Sequence, residues 1–271
     1  MSEPAFLYEK REGIAYLTFN RPQVRNAVNP EAACRLADAW QDYAEDDSLR
    51  VAIITGAGDR AFTAGADLGT LIPLFTGARQ PQDEWDRRVL QDRQMLDSVV
   101  MLRGFPLYKP IIAAINGFCL GLGAELIQAT DLRIAAEHAT FAVTEVVRGF
   151  MPGGGSTVRL ARQIPLCKAM EIVLVGEHMS AQEAYRIGLV NEVVPADQVM
   201  LKAEALARKI AANGPVAVRK TKETVLRSLS VSFDEGFRLE RENADFTMRT
   251  EDAKEGPRAF MEKRQPRYVG R

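Results

Sequence analysis

Two glutamates stand in segments that give a carboxylate few ordinary reasons to be there. Glu125 is the one charged residue of Leu120-Gly-Leu-Gly-Ala-Glu-Leu-Ile127, and Glu145 lies between the apolar run Thr140–Val143 and Val146-Val147. Glutamate is rarely buried unless a partner or a task holds it there. Taken one at a time, each could cap a turn or form an ion pair, with Arg133 the candidate partner of Glu125. As a pair they suggest general acid–base work, because neighbouring carboxylates titrate together and can divide the two roles.

Glycine and small residues frame both. Four segments carry them: Arg60–Leu68, Asn116–Leu126, Ala139–Glu145 and Gly149–Thr157. In the second, Gly117, Gly121 and Gly123 permit a tight passage from strand into helix. The first N–H groups of a helix have no intrahelical acceptor and lie at its positive end. They can bind an anion, or a carbonyl oxygen that becomes one during a reaction. Such a turn is more often only a turn, and without a GxGxxG frame a dinucleotide reading is poor.

The elements that must position these residues are partly legible. Ile14–Phe19 (IAYLTF), Val51–Thr55 (VAIIT) and Ile111–Ile115 (IIAAI) read as strands. Continuous apolar strands separated by helices imply parallel pairing with both faces covered, the α/β class. Asn29-Pro30-Glu31 reads as a helix start, with a capping residue, Pro at the first helical position and an acid behind it. Ala33, Leu36, Ala37 and Trp40 continue that helix at the right spacing. From about residue 156 the pattern is mostly helical, with Ser180–Glu183 and Ser232–Glu235 matching capping boxes and residues 189–194 a late strand. The expected division is a core over 1–195 and a helical, oligomer-forming extension over 196–271.

Composition narrows the function classes. The chain has 271 residues, 46% hydrophobic and 26% charged, which is globular composition. No apolar run approaches the roughly 20 residues of a spanning helix, and the charged start MSEPAFLYEKREG lacks a signal peptide's apolar core. A cytoplasmic protein with no membrane partner is expected. A net charge of −1 gives no nucleic-acid footprint. Cys34, Cys119 and Cys167 are too scattered for a disulfide framework or a thiolate metal site. The two histidines, His138 and His178, fall in polar stretches and read as solvated, which leaves a nucleophile triad without its base.

The residues together resemble the crotonase superfamily, the enoyl-CoA hydratase/isomerase family. The matching pieces are 20–29, 61–68, 116–126, 139–145, 149–160, 179–194 and 251–266, in the family's order and spacing. The resemblance implies a ββα spiral core with a helical C-terminal extension and an acyl-CoA substrate. It implies no cofactor beyond the CoA carried by the substrate, no metal, and a homotrimer or dimer of trimers. It places the thioester oxygen on the backbone N–H groups of Ala66 and Leu122, and the water on Glu125 and Glu145, twenty residues apart as in hydratases. Arg25, Ala64, Asp67, Leu68, Gly121, Pro152 and Gly153 match positions near the substrate or CoA.

Two positions depart from the hydratase pattern. Leu122 stands where Gly is common, and a leucine there would be strained if the site required φ > 0. Gly69 stands where many hydratases carry a Lys near the CoA, which shifts the phosphate contacts to Arg25 or Lys109, with Arg25 favoured. Acyl specificity is expected within 69–108, among Leu71, Leu74, Phe75, Trp85, Leu90, Met95, Met101 and Phe105, most of them packing residues. The resemblance therefore favours an enoyl-CoA hydratase. The alternatives are an isomerase that uses Glu145 alone, a carnitinyl-CoA-type dehydratase, and a non-catalytic CoA- or RNA-binding relative.

Overall fold

Short, fully apolar runs build the centre of the molecule, because a strand buried on both faces needs no polar alternation. The computed structural model describes residues 3–92 and 95–271. Its strands, in chain order, are β1 (Phe6–Arg11), β2 (Ile14–Phe19), β3 (Val51–Gly56), β4 (Ala61–Thr63) and β5 (Ile111–Ile115). They continue as β6 (Phe118–Leu120), β7 (Leu132–Ala136), β8 (Thr140–Ala142), β9 (Met179–Ser180) and β10 (Glu192–Val194). One sheet has the order β1-β2-β3-β5-β7-β10 and a second the order β4-β6-β8-β9. All neighbours in the first sheet are parallel except β1, which pairs antiparallel with β2. Every residue of β5 is buried, as its IIAAI sequence predicts.

The helices are α1 (Pro30–Glu45), α2 (Leu71–Phe75), α3 (Glu84–Gln91), α4 (Leu122–Ile127), α5 (Ser156–Gln163) and α6 (Leu166–Val175). After them come α7 (Ala181–Arg186), α8 (Val199–Ala211), α9 (Pro215–Ser228), α10 (Phe233–Met248) and α11 (Glu251–Met261). The Asn29 side chain accepts from Ala32 N at 2.9 Å, and Ala33, Leu36, Ala37 and Trp40 form the buried face of α1. Each of β3, β5 and β7 is followed within a few residues by a short strand of the second sheet and then by helix. This repeated ββα turn delivers β4, β6 and β8, with the loops behind them, to one edge of the fold.

Two readings need adjustment. The late strand is only Glu192–Val194, parallel to β7. Ser180 and Ser232 do cap their helices, but the carboxylates of Glu183 and Glu235 turn to Arg186 and Arg238 instead of reaching back. The expected boundary at residue 195 falls just before α8, whose buried Val199, Ala203 and Ala207 lie on the first sheet. Among the described residues no helix is long and apolar enough to cross a membrane.

Candidate active site

The loop after β4 reaches the site first. Val28 N donates to Gly65 O at 2.8 Å and Asp67 N to Val28 O at 2.9 Å, a single parallel bridge centred on Val28 and Ala66. Alternation along an extended chain turns the Ala66 N–H the opposite way. The Asp67 carboxylate fixes this loop by pairing with Arg21 at 2.7 Å and accepting from Gly69 N and Thr70 N. The second donor comes from the turn between β6 and α4. Gly121 is the residue before the helix, with φ 52, and Leu122 is its first residue. The left-handed conformation therefore falls on glycine, and Leu122 carries no backbone strain while keeping an N–H that no intrahelical carbonyl can take.

Glu125 sits on the first turn of α4, 3% exposed. Its Oε1 accepts from Ser156 N, the first residue of α5, at 3.1 Å. A Cβ on Gly154 would stand 2.7 Å from Glu125 Oε2 and 2.6 Å from Met101 Cε, so only glycine lets that loop pass. Burial raises the Glu125 pKa, and the N–H groups of Ser156, Gly154 and Gly155 oppose the rise. Glu145 follows β8 and is 8% exposed. Its Oε2 is buried and has no hydrogen-bond partner among the described residues. Burial, followed by the charge of Glu125, pushes its pKa up to about 7.

The two carboxyls and both donor residues line one crevice of about 460 Å³. The rest of its lining is mostly apolar, with Leu71, Ile72, Phe75, Leu96, Val100, Met101, Phe150 and Met151, and Asp97 is its one further charged residue. A crevice with a polar end of two N–H groups and two carboxyls, and a greasy remainder, can hold an acyl group by its carbonyl and exchange protons with its carbon chain.

The sequence profile of the enoyl-CoA hydratase/isomerase family matches residues 9–271. The chain belongs to that family. An enoyl-CoA hydratase of Mycobacterium tuberculosis is 37% identical over 270 residues, which is 100% of this chain and 98% of the relative. An (E)-benzylidenesuccinyl-CoA hydratase of Thauera aromatica is 37% identical over 257 residues, 95% of this chain and 96% of its own. The crystal structure of an enoyl-CoA hydratase from Bacillus anthracis superposes with a TM-score of 0.88 at 36% identity, covering 98% of this chain and 100% of that one. The crotonase-like ββα architecture expected from the sequence is the architecture found.

Of the expected positions, the family fold gathers Ala66, Leu122, Glu125, Glu145 and Gly153 around the crevice. Gly121 abuts it, since a Cβ there would lie 3.1 Å from Glu145 Oε1. Arg25, Ala64, Asp67, Leu68 and Pro152 are not among its lining residues. Arg25 holds a left-handed φ of 53 and lays its guanidinium over the Phe118 ring at 5.3 Å, while its carbonyl accepts from Ala64 N. Leu68 is exposed and Pro152 buried.

Several expectations are corrected. Arg133 does not pair with Glu125; its guanidinium donates to the carbonyls of Leu189 and Thr130. Lys109 is buried, and its ammonium donates to the carbonyls of Tyr43 and Asp46, which removes it as a phosphate ligand. Of the apolar residues picked from 69–108, Leu71, Phe75 and Met101 reach the crevice, whereas Leu74 and Met95 are buried and Trp85 and Phe105 pack against the core. His138 and His178 are exposed, as read. Gly154 and Ser156 were missed as Glu125's neighbours. The signal was available: α5 begins right after three glycines, and its first N–H groups need an acceptor.

Proposed function

We propose that the chain hydrates a 2-enoyl-CoA thioester reversibly, with Glu125 as the base and Glu145 as the acid. The observation that carries this reading is the unequal setting of the two carboxyls. Glu125 is met by the N-terminus of α5, which favours its ionised form. Glu145 has only its own backbone N–H to ease a charge, its Oε2 has no partner among the described residues, and it faces Glu125, which favours keeping its proton. In the forward step Glu125 takes a proton from water as the oxygen bonds to the β-carbon. The electron pair of the double bond moves toward the thioester, and its oxygen gains charge as an enolate. Glu145 then gives its proton to the α-carbon. Proton return from Glu125 to Glu145 resets the pair, so one water is added and nothing else is consumed. No redox or metal partner is needed in this scheme.

The N–H groups of Ala66 and Leu122 would receive the enolate oxygen, each worth on the order of 3 kcal/mol by analogy with other oxyanion holes. The apolar wall suits an unsubstituted hydrocarbon acyl chain. The CoA would run past Arg25, Ala64 and Leu68, which lie outside the crevice. We also propose a homotrimer or dimer of trimers, supported by Phe233, Phe237, Phe260 and Met261, large apolar residues left exposed on α10 and α11; sedimentation as a monomer would rule this out.

The test of the reaction is loss of enoyl-thioester absorbance with crotonyl-CoA. Wild type should turn over, while folded Glu125→Ala and Glu145→Ala should not. Isomerisation of a 3-enoyl-CoA that survives in Glu125→Ala would replace hydration with proton shuttling by Glu145 alone.

A further inference from the structure

The wall of the acyl crevice and the loop that holds Glu125 are tied together by two arginines that the reaction itself does not use. The wall is built by a π-helical turn, Met95–Val100, followed by Leu102 at φ 51 and Gly104 at φ 77. π-turns and left-handed non-glycine residues are costly, and they persist where their surroundings hold them. Here the holder is Arg159, on the first turn of α5. Its Nη2 donates to Met101 O at 2.9 Å and Leu102 O at 2.7 Å, and its Nη1 to Gly154 O at 3.4 Å. From the other direction Arg103, within the wall segment, donates through Nη1 to Gly153 O at 2.6 Å and lies 3.7 Å from Asp97. The Met101 side chain completes the junction, with its Cε packed where a Cβ on Gly154 would fall.

These contacts join two parts of the site with different tasks. Leu96, Val100 and Met101 line the proposed acyl chain's space, and residues 154–156 set the position of Glu125. We propose that Arg159, helped by Arg103, is a positioning residue that couples the acyl-chain wall to the water-activating carboxylate. Arg159 fits the part chemically: its planar fork fixes the directions in which it holds three carbonyls, whereas an ammonium's donors turn at the end of a flexible stem. Its guanidinium is shielded from water and lies near the Arg103 charge, both of which disfavour its own charge, and the nearby Glu125 carboxylate compensates in part. The consequence is that acyl groups long enough to press on residues 96–101 reach a Glu125 already fixed by the same arginine.

The inference rests on the hydratase reading for what the coupling does, but the coupling is measurable without turnover. Two series are needed, each on wild type, Arg159→Met, Arg159→Lys and Arg103→Met. In the first, butyryl-CoA and octanoyl-CoA, which cannot be hydrated, are bound by calorimetry. In the second, kcat and KM are measured for crotonyl-CoA and 2-octenoyl-CoA. Arg159→Met should shrink the octanoyl-to-butyryl affinity ratio by about three-fold or more, because the wall no longer keeps its shape. The same variant should lower kcat by about ten-fold or more on both substrates, because Glu125 is less well placed. Arg159→Lys should recover little of either effect, and Arg103→Met should show the same pattern at smaller size.

A merely structural arginine would lower the active fraction and leave the affinity ratio untouched. An unchanged ratio in folded Arg159→Met, or in Arg159→Lys and Arg103→Met should Arg159→Met fail to fold, overturns the proposal. A reduced ratio combined with normal kcat overturns it equally, since the wall would then be uncoupled from Glu125. Absence of turnover in wild type, with the ratio still falling in the variants, would sink the hydratase reading and leave the wall's dependence on Arg159 standing.

Discussion

Glu145→Gln should cost the enzyme its activity and make the fold more stable at alkaline pH. In the folded chain burial and the neighbouring Glu125 push the Glu145 pKa up from 4.5 to about 7. The folded state therefore holds a proton that the unfolded chain gives up at lower pH. The stability involved is fully present below 4.5 and is lost as pH rises toward 7, with no further loss above it. A shift of this size corresponds to about 3 kcal/mol at most. Between pH 5 and 8.5 the linkage relation leaves most of it, about 2–3 kcal/mol, to be lost. At about 2.1 cal/mol/K per residue, that is a difference in Tm of about 4–5 °C for this chain. Glutamine keeps the shape and cannot ionise. Its buried amide has its own cost of about 1–3 kcal/mol, but that cost does not depend on pH and cancels in the comparison. The assay is thermal unfolding of both proteins at the two pH values. The variant's Tm relative to wild type should rise on going from pH 5 to pH 8.5 by that amount. Parallel pH dependences, with the offset constant within about 1 °C, would refute the claim that Glu145 resists ionisation in the folded state.

The same pair of glutamates shapes the rate. The kcat/KM for hydration should fall above about pH 7, where Glu145 loses its proton, and again on the acid side where Glu125 gains one; a flat profile through that range would contradict the assignment. Gly154→Ala would press a Cβ onto Glu125 Oε2 and Met101 Cε and should lower the rate by about a hundred-fold, whereas Gly153→Ala, whose Cβ would meet only Met151 O at 4.0 Å, should be close to wild type. Leu122→Gly keeps the N–H and should retain most of the activity at a cost of about 1 kcal/mol in helix stability. Leu122→Pro removes the donor and should lose about a hundred- to a thousand-fold in kcat. Equal activity in the members of either pair would remove the corresponding contact from the mechanism.

The first sheet was readable because each of β3 and β5 is a run of apolar residues, and burial on both faces is what such a run requires. The second sheet was not. Its strands β4, β6 and β8 have three residues each and carry Thr or Cys, too short for any periodicity. They exist because the strands before them in the first sheet run parallel and hand the chain on side by side, with a register shift between β4 and β6. Lys109 misled for a related reason. A lysine flanking a strand looks solvated, but here two carbonyls from the end of α1 and the turn after it enclose its ammonium. Arg133 was a poor guess at Glu125's partner for the opposite reason: a sequence shows charged side chains and hides backbone donors, and the partner is the Ser156 N–H.

That hidden donor is what separates the two glutamates. In sequence they are equivalent, each a lone acid in an apolar, glycine-bounded frame. In space Glu125 meets the start of α5, where free N–H groups and the positive end of the helix favour negative charge. Glu145 is likewise buried, but its neighbours are the Gly121 turn and Glu125 itself, and neither offers compensation for a charge. Burial raises both pKa values, and the helix that begins beside Glu125 opposes the rise there. The proposed division of labour between base and acid follows from the position of α5, and α5 begins there because Gly154 and Gly155 let the chain pass Glu125 closely enough to present Ser156.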